Sequence, residues 1–171
     1  MGATSWKYFT QYKENIKEAL ETLRQQEFNA GRYGTNDHLM NVIEQRAKEL
    51  NLPIDKLEEF KKAYQNLNKL KGKSKKPPAT IQQLLKFSKD SGTHSIIDII
   101  DIEVSTDRTV SGTLSSEDLI QLFGTDQPNH EMIASKSEEL ANFRERGLCT
   151  YVVVYDQKKP TELFFVGYSG D

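Results

Sequence analysis

The chain predicts an α+β fold: an antiparallel or mixed sheet of at least four strands, covered by helices and interrupted by an inserted helical hairpin. Three observations predict it. β-rich runs occur at the start, in the middle and at the end of the chain, around Trp6, Ile96 and Val152 to Tyr168. Stretches with apolar residues at steps of three and four lie between them. No internal repeat is present, and 171 residues suit one domain spanning 1–171 that buries a core without disulfides or metals.

The first strand is Ser5 to Tyr12. Trp6, Tyr8 and Tyr12 fall on one side and Lys7, Phe9 and Gln11 on the other, so the only tryptophan anchors a core face. A helix follows over 13–30, with Ile16, Ala19, Leu20 and Leu23 in one stripe, Phe28 at its edge and Gly31 as its stop. Leu39, Ile43, Ala47 and Leu50 mark a second helix, which Asn51 and Pro53 break. Leu57, Phe60, Tyr64 and Leu67 mark a third, and the pair reads as a helical hairpin at about 36–70. Lys69, Lys71, Lys73, Lys75 and Lys76, then Pro77 and Pro78, form a linker over about 69–78 in which like charges repel. Thr80 and Gln83 form a capping box for a short helix carrying Ile81, Leu84, Leu85 and Phe87.

Ser95 to Val104 gives the strongest strand signal. Ile96, Ile100, Ile102 and Val104 share one parity and Ile97 and Ile99 the other, the pattern of a central strand with two buried faces. Ser105 to Thr113 is a polar loop. Ser115 and Asp118 open a helix that ends at Gly124, and another helix is expected from about Asn129 to Arg146. Leu148 to Tyr155 and Glu162 to Tyr168 form a hairpin, with Asp156 to Thr161 as a long connecting loop.

Charge is divided along the chain. Residues 1–86 hold 16 Lys and Arg against 10 Asp and Glu, a net +6; residues 87–171 hold 7 against 15, a net −8. Such a division marks either a partner-binding face or two halves that attract one another, and the second is the more ordinary reading. Cys149 is the only cysteine, so no intrachain disulfide forms and a reducing, cytoplasmic compartment is expected. No run reaches the roughly 20 apolar residues of a membrane span, and residues 1–11 contain no signal-peptide core.

Three stretches together resemble a family of small bacterial proteins. They are Trp6-Lys7-Tyr8-Phe9 with Tyr12, followed by Ala19-Leu20, Leu23-Arg24 and Phe28-Asn29-Ala30-Gly31-Arg32-Tyr33; Thr80-Ile81 with Leu84-Leu85, then Gly92-Thr93-His94-Ser95-Ile96-Ile97-Asp98; and Phe165-Val166-Gly167-Tyr168-Ser169-Gly170-Asp171. The helical hairpin and the lysine run take no part in the resemblance. It implies a bacterial cytoplasmic protein with a shared fold, and no reaction.

The best catalytic candidates are His94, Ser95 and Asp98: a base near neutral pH, a hydroxyl nucleophile and a carboxylate to orient the imidazole. Neighbours on a strand point to opposite faces, so His94 and Ser95 cooperate only if the chain bends there. The ordinary reading is a tight turn at Gly92 whose polar side chains satisfy backbone groups. Asp98, Asp101 and Glu103 carry oxygens suited to a hard cation, yet one strand does not converge them, and charges on an exposed edge are the simpler account. Cys149 reads as a buried thiol, and His38 and His130 have no second ligand at zinc spacing. Tyr33, His94, Ser169 and Asp171 are the candidate binding residues. No metal or cofactor is expected.

The function these features favour is a non-enzymatic protein-interaction module, with an immunity-like role suggested by analogy with other small acidic α+β proteins. Two alternatives stand beside it. One is a small enzyme using His94 with Ser95 or Asp98. The other is a nucleic-acid accessory protein acting through Lys69–Lys76, which lacks the arginines and interleaved aromatics that base stacking uses. The expected partner is therefore another protein.

Overall fold

The computed structural model describes residues 5–33, 78–88 and 92–169, with isolated positions between 53 and 62. Apart from those isolated positions the expected helical hairpin lies outside the described residues, as do the lysine run, His38 and Asp171. One long-range strand pairing and one hairpin organise the rest. β1 (Ser5–Gln11) pairs antiparallel with β3 (Lys159–Tyr168), and β3 pairs antiparallel with β2 (Cys149–Asp156). The order is β1-β3-β2, so the two ends of the chain meet in one sheet.

Register and side-chain alternation give the sheet two apolar faces. Trp6 lies opposite Gly167 and Tyr8 opposite Phe165. Trp6, Cys149, Tyr151, Leu163 and Phe165 occupy one face and pack against Ala19, Leu20 and Leu23 of α1 (Ile16–Asn29). Val152, Val154, Phe164 and Val166 occupy the other. They pack against Ile133 of α4 (His130–Ser135) and Leu140 of α5 (Ser137–Ala141). A smaller cluster seats α2 (Ile81–Phe87), through Ile81 and Leu84, on Ile97, Phe28 and Tyr33. Each large side chain removed from water contributes on the order of 2 kcal/mol, so both layers matter to stability.

Local chemistry sets the helix ends. Asn15 caps α1 by accepting the Glu18 N–H at 3.2 Å. Thr80 accepts the Gln83 N–H at 3.2 Å while Gln83 accepts the Ala79 N–H at 2.9 Å, which fixes the start of α2. Ser115 does the same for α3 (Ser116–Phe123) through the Asp118 N–H at 3.1 Å.

Among the described residues the sheet has three strands, not the four or more that the sequence suggests. The missing strand is Ser95 to Val104, which forms a single 3-10 turn at Ile96–Asp98 followed by irregular chain. Nearby side chains and carbonyls take the amides that a ladder would use. Ser95 Oγ accepts the Ile97 N–H, Ile96 O accepts the Ile99 N–H, and Asp101 Oδ1 accepts the Ile102 N–H. Ile96, Ile97, Ile99 and Ile102 are all buried, which explains apolar residues at both parities without a strand. The edge of β2 is met instead by Gly112, which donates to Cys149 O at 2.9 Å and accepts from the Tyr151 N–H at 2.9 Å.

Two smaller expectations also give way. The hairpin turn is Gln157-Lys158 alone, both with positive φ, because the strands run on to Asp156 and Lys159. Pro160 is accommodated beside a register shift at Val154/Tyr155, where the Tyr155 N–H turns away to Pro128 O at 2.9 Å. The long helix expected over 129–146 is two short ones that meet at Lys136 and end at Ala141. Leaving the helix there lets Arg144 turn inward, as its contacts below show.

Candidate functional site

Gly92 to Asp98 folds as a closed turn. Gly92 has φ +64, and a Cβ there would lie 3.0 Å from Asp98 Oδ2, so the carboxylate sits against bare backbone. Asp98 accepts the Thr93 N–H through both oxygens, at 2.8 and 2.9 Å. Ser95 Oγ lies 2.8 Å from Thr93 Oγ1 and 3.3 Å from the Ile97 N–H it accepts, and both hydroxyl residues are buried. The Ser95 hydroxyl and the Asp98 carboxylate thus cap local backbone. His94, between Thr93 and Ser95 in the chain, is half-buried with φ +53, in the left-handed region.

Tyr33, the second candidate, stacks on Phe28 with ring centroids 5.8 Å apart and belongs to the small core beside α2. Ser169 is buried just past the end of β3. The open clefts elsewhere include two with charged linings. One, of about 520 Å³, runs between α3 and α5 and is lined by Arg108, Asp118, Lys136, Glu139 and Phe143. The other is bordered by Asn142, Glu145, Arg146 and Tyr168. In the first cleft the charges are already matched: Arg108 lies 3.4 Å from Asp118 and over the Phe143 ring, and Lys136 lies 3.2 Å from Glu139.

A buried polar network ties α1 to the turn. Arg24 donates from Nε and Nη2 to Ile97 O at 3.3 and 3.2 Å. Arg32 clamps the buried Glu27 carboxylate, with Nη2 donating to Oε1 at 2.6 Å. Burial and the neighbouring Glu27 carboxylate push the Tyr8 phenol well above its ordinary range, while the Ile96 N–H works in the opposite sense.

Cys149 is fully buried beside Arg144, and burial pushes its thiol far above the ordinary range, which makes it a poor nucleophile. His130 Nδ1 lies 2.7 Å from Glu162 Oε2, with its ring stacked on Phe9 at 4.0 Å. Among the described residues no group of three or more His, Cys, Asp or Glu could hold a metal ion, and no helix is long and apolar enough to cross a membrane.

The feature that the strand reading hid is an exposed strip. Ile100 is 76 % exposed and Val104 84 %, while Ile99 before them and Ile102 between them are buried. Asp101 and Glu103 are exposed beside them. Both ends of the strip are fastened: Ile99 N–H donates to Ile96 O at 3.1 Å, and Glu103 N–H donates to Ser111 O at 2.9 Å. Beyond Val104, Ser105 O accepts the Thr113 N–H at 2.9 Å and an Arg144 N–H at 3.3 Å. Lys17 Nζ reaches across from α1 to Asp101 Oδ1 at 2.8 Å. That hydrogen bond holds the Asp101 carboxyl below the usual range, and Asp101 with Glu103 raises the Lys17 ammonium above its own.

Neither a family model, nor a curated protein, nor a solved structure matches this chain.

Proposed function

We propose that the chain is a non-enzymatic protein-interaction module whose contact surface is the strip Ile100–Val104. The observation that carries this reading is the exposure of two large aliphatic side chains on a segment fastened at both ends. Single aliphatics scattered over a surface are ordinary; a pair this exposed on one held segment is what a partner's apolar pocket would cover. The local use of Ser95 and Asp98 supports the same reading, since hydroxyl and carboxylate are occupied in capping backbone rather than presented to a substrate. An immunity-like role, binding and blocking a toxin, is one form of this function.

The test compares the immobilised chain with the Ile100→Asp/Val104→Asp variant as baits for lysate of the source organism. The expected result is a stoichiometric band retained by the parent and lost by the variant, with unchanged circular dichroism. A partner held equally by both baits would place the contact elsewhere on the surface.

A further inference from the structure

The charges around the strip say what kind of partner fits it. Resting on the reading above, we propose that the strip docks a cationic segment of a partner protein, one that sets aliphatic side chains against Ile100 and Val104 and a Lys or Arg between Asp101 and Glu103. Residues 98 to 107 carry Asp98, Asp101, Glu103 and Asp107 and no basic residue. Asp98 is folded back onto the Thr93 N–H and Asp107 accepts the Thr109 N–H and hydroxyl, which leaves Asp101 and Glu103 as the exposed acids inside the strip. The two acids inside the strip already draw in a cation, since Lys17 Nζ sits 2.8 Å from Asp101 Oδ1 and Glu103 adds to its attraction. Lys17 and Asp101 have side chains 64 % and 62 % exposed, so the pair is a loose one that an incoming ammonium or guanidinium can displace. An acidic partner would meet repulsion from Asp101 and Glu103, and a neutral apolar one would cover both carboxylates with Lys17 as the cation they share.

Because Lys17 occupies the position the partner's cation would take, it competes with the partner. Its removal strengthens binding, an effect opposite in direction to that of removing a structural contact. The size follows from the weakness of exposed ion pairs, roughly a two- to fivefold gain in affinity.

The experiment uses the full chain and three fluorescent peptides of about ten residues, matched in length, at near-physiological salt. One alternates Leu and Lys, one Leu and Glu, and one Ser and Lys; fluorescence anisotropy gives the affinities. The expected result is binding of the Leu-Lys peptide, none of the Leu-Glu peptide, and binding of the Ser-Lys peptide at least about tenfold weaker. Ile100→Ser/Val104→Ser and, separately, Asp101→Asn/Glu103→Gln each weaken the Leu-Lys complex by about tenfold or more, and Lys17→Gln tightens it. All these positions are exposed, and circular dichroism checks that each variant is folded. If Asp101→Asn/Glu103→Gln or Lys17→Gln leaves Leu-Lys affinity unchanged, the cationic partner is overturned. Leu-Glu binding that Ile100→Ser/Val104→Ser abolishes also overturns the cationic partner but leaves the contact surface standing. Peptide binding indifferent to Ile100 and Val104, or no binding at all, overturns the surface as well.

Discussion

Arg144 shows how much a single side chain organises. It is 6 % exposed, and its guanidinium donates to Val110 O at 2.6 Å, Thr113 O at 2.8 Å, Ser105 O and Asp107 O at 3.3 Å and Thr150 Oγ1 at 3.3 Å. One cation thereby gathers the whole polar loop 105–113 against β2, and burial lowers its pKa from the ordinary arginine value. Gly112 permits the approach, since a Cβ there would lie 2.2 Å from Ser105 O. Arg144→Met nearly keeps the volume and removes every donor, so the part-buried hydrogen bonds to the Val110, Asp107 and Thr113 carbonyls are lost and Ser105 O keeps only the Thr113 N–H. The expected cost is about 3 kcal/mol or more, read as a lower urea midpoint with an unchanged slope. Arg144→Lys is expected to recover only part of it, because one ammonium cannot span carbonyls that a planar fork reaches together. Nothing in the sequence singles out this arginine: between Glu145 and Phe143 it looks like any other polar position near a helix end, and its partners are backbone atoms with no sequence signature.

Elements whose pattern is written in neighbouring residues were legible. The aromatic alternation of β1, the apolar stripe of α1, the Thr80 and Ser115 caps and the terminal hairpin all follow from neighbours a few residues apart. The stretch from Ser95 to Val104 was not, because burial there does not follow the strand period: Ile96, Ile97, Ile99 and Ile102 are inside and Ile100 and Val104 outside. That pattern matches neither two nor 3.6 and is imposed by tertiary packing against α1. The candidate site was hidden with it, since a strand reading makes Ile100 and Val104 core residues. The turn between β2 and β3 was missed for another reason. Gln157 and Lys158 adopt φ 46° and 66°, yet neither belongs to the Asn-Gly or Asp-Gly signature that marks such turns. Two non-glycine residues in the left-handed region carry strain. Gln157→Asn/Lys158→Gly is therefore expected to stabilise the hairpin by about 0.5–2 kcal/mol, raising the melting temperature by a few degrees in a chain of this size. Differential scanning calorimetry reads this directly, and an unchanged or lower melting temperature would show that the turn relaxes its strain by other means.

Among the described residues, exposed ion pairs join the first half of the chain to the acidic second half. Lys17 from the first half meets Asp101 of the second, and Lys7 lies 3.9 Å from Glu138. These exposed pairs contribute little to stability, and the larger pH response comes from inside. Burial raises the pKa of the Cys149 thiol, the Tyr8 phenol and the Tyr151 phenol. A proton held more tightly by the folded chain than by the unfolded one stabilises the fold at pH values below the unfolded group's ionisation. That contribution is lost as pH rises from the unfolded pKa toward the raised folded one. The unfolded values are about 8.5 for a thiol and about 10 for a phenol. Stability is therefore expected to hold to about pH 8 and then to fall with a slope approaching about 1.4 kcal/mol per pH unit from Cys149 alone. The fall steepens above about pH 10, where both tyrosines and the exposed Lys17–Asp101 pair add losses in the same direction. Cys149→Val fills the same pocket without an ionisable proton, so it removes the first part and moves the onset to about pH 10. Urea midpoints measured across this range for the two proteins decide it, and an onset that stays near pH 8.5 in the variant would assign the early loss to a group other than the buried thiol.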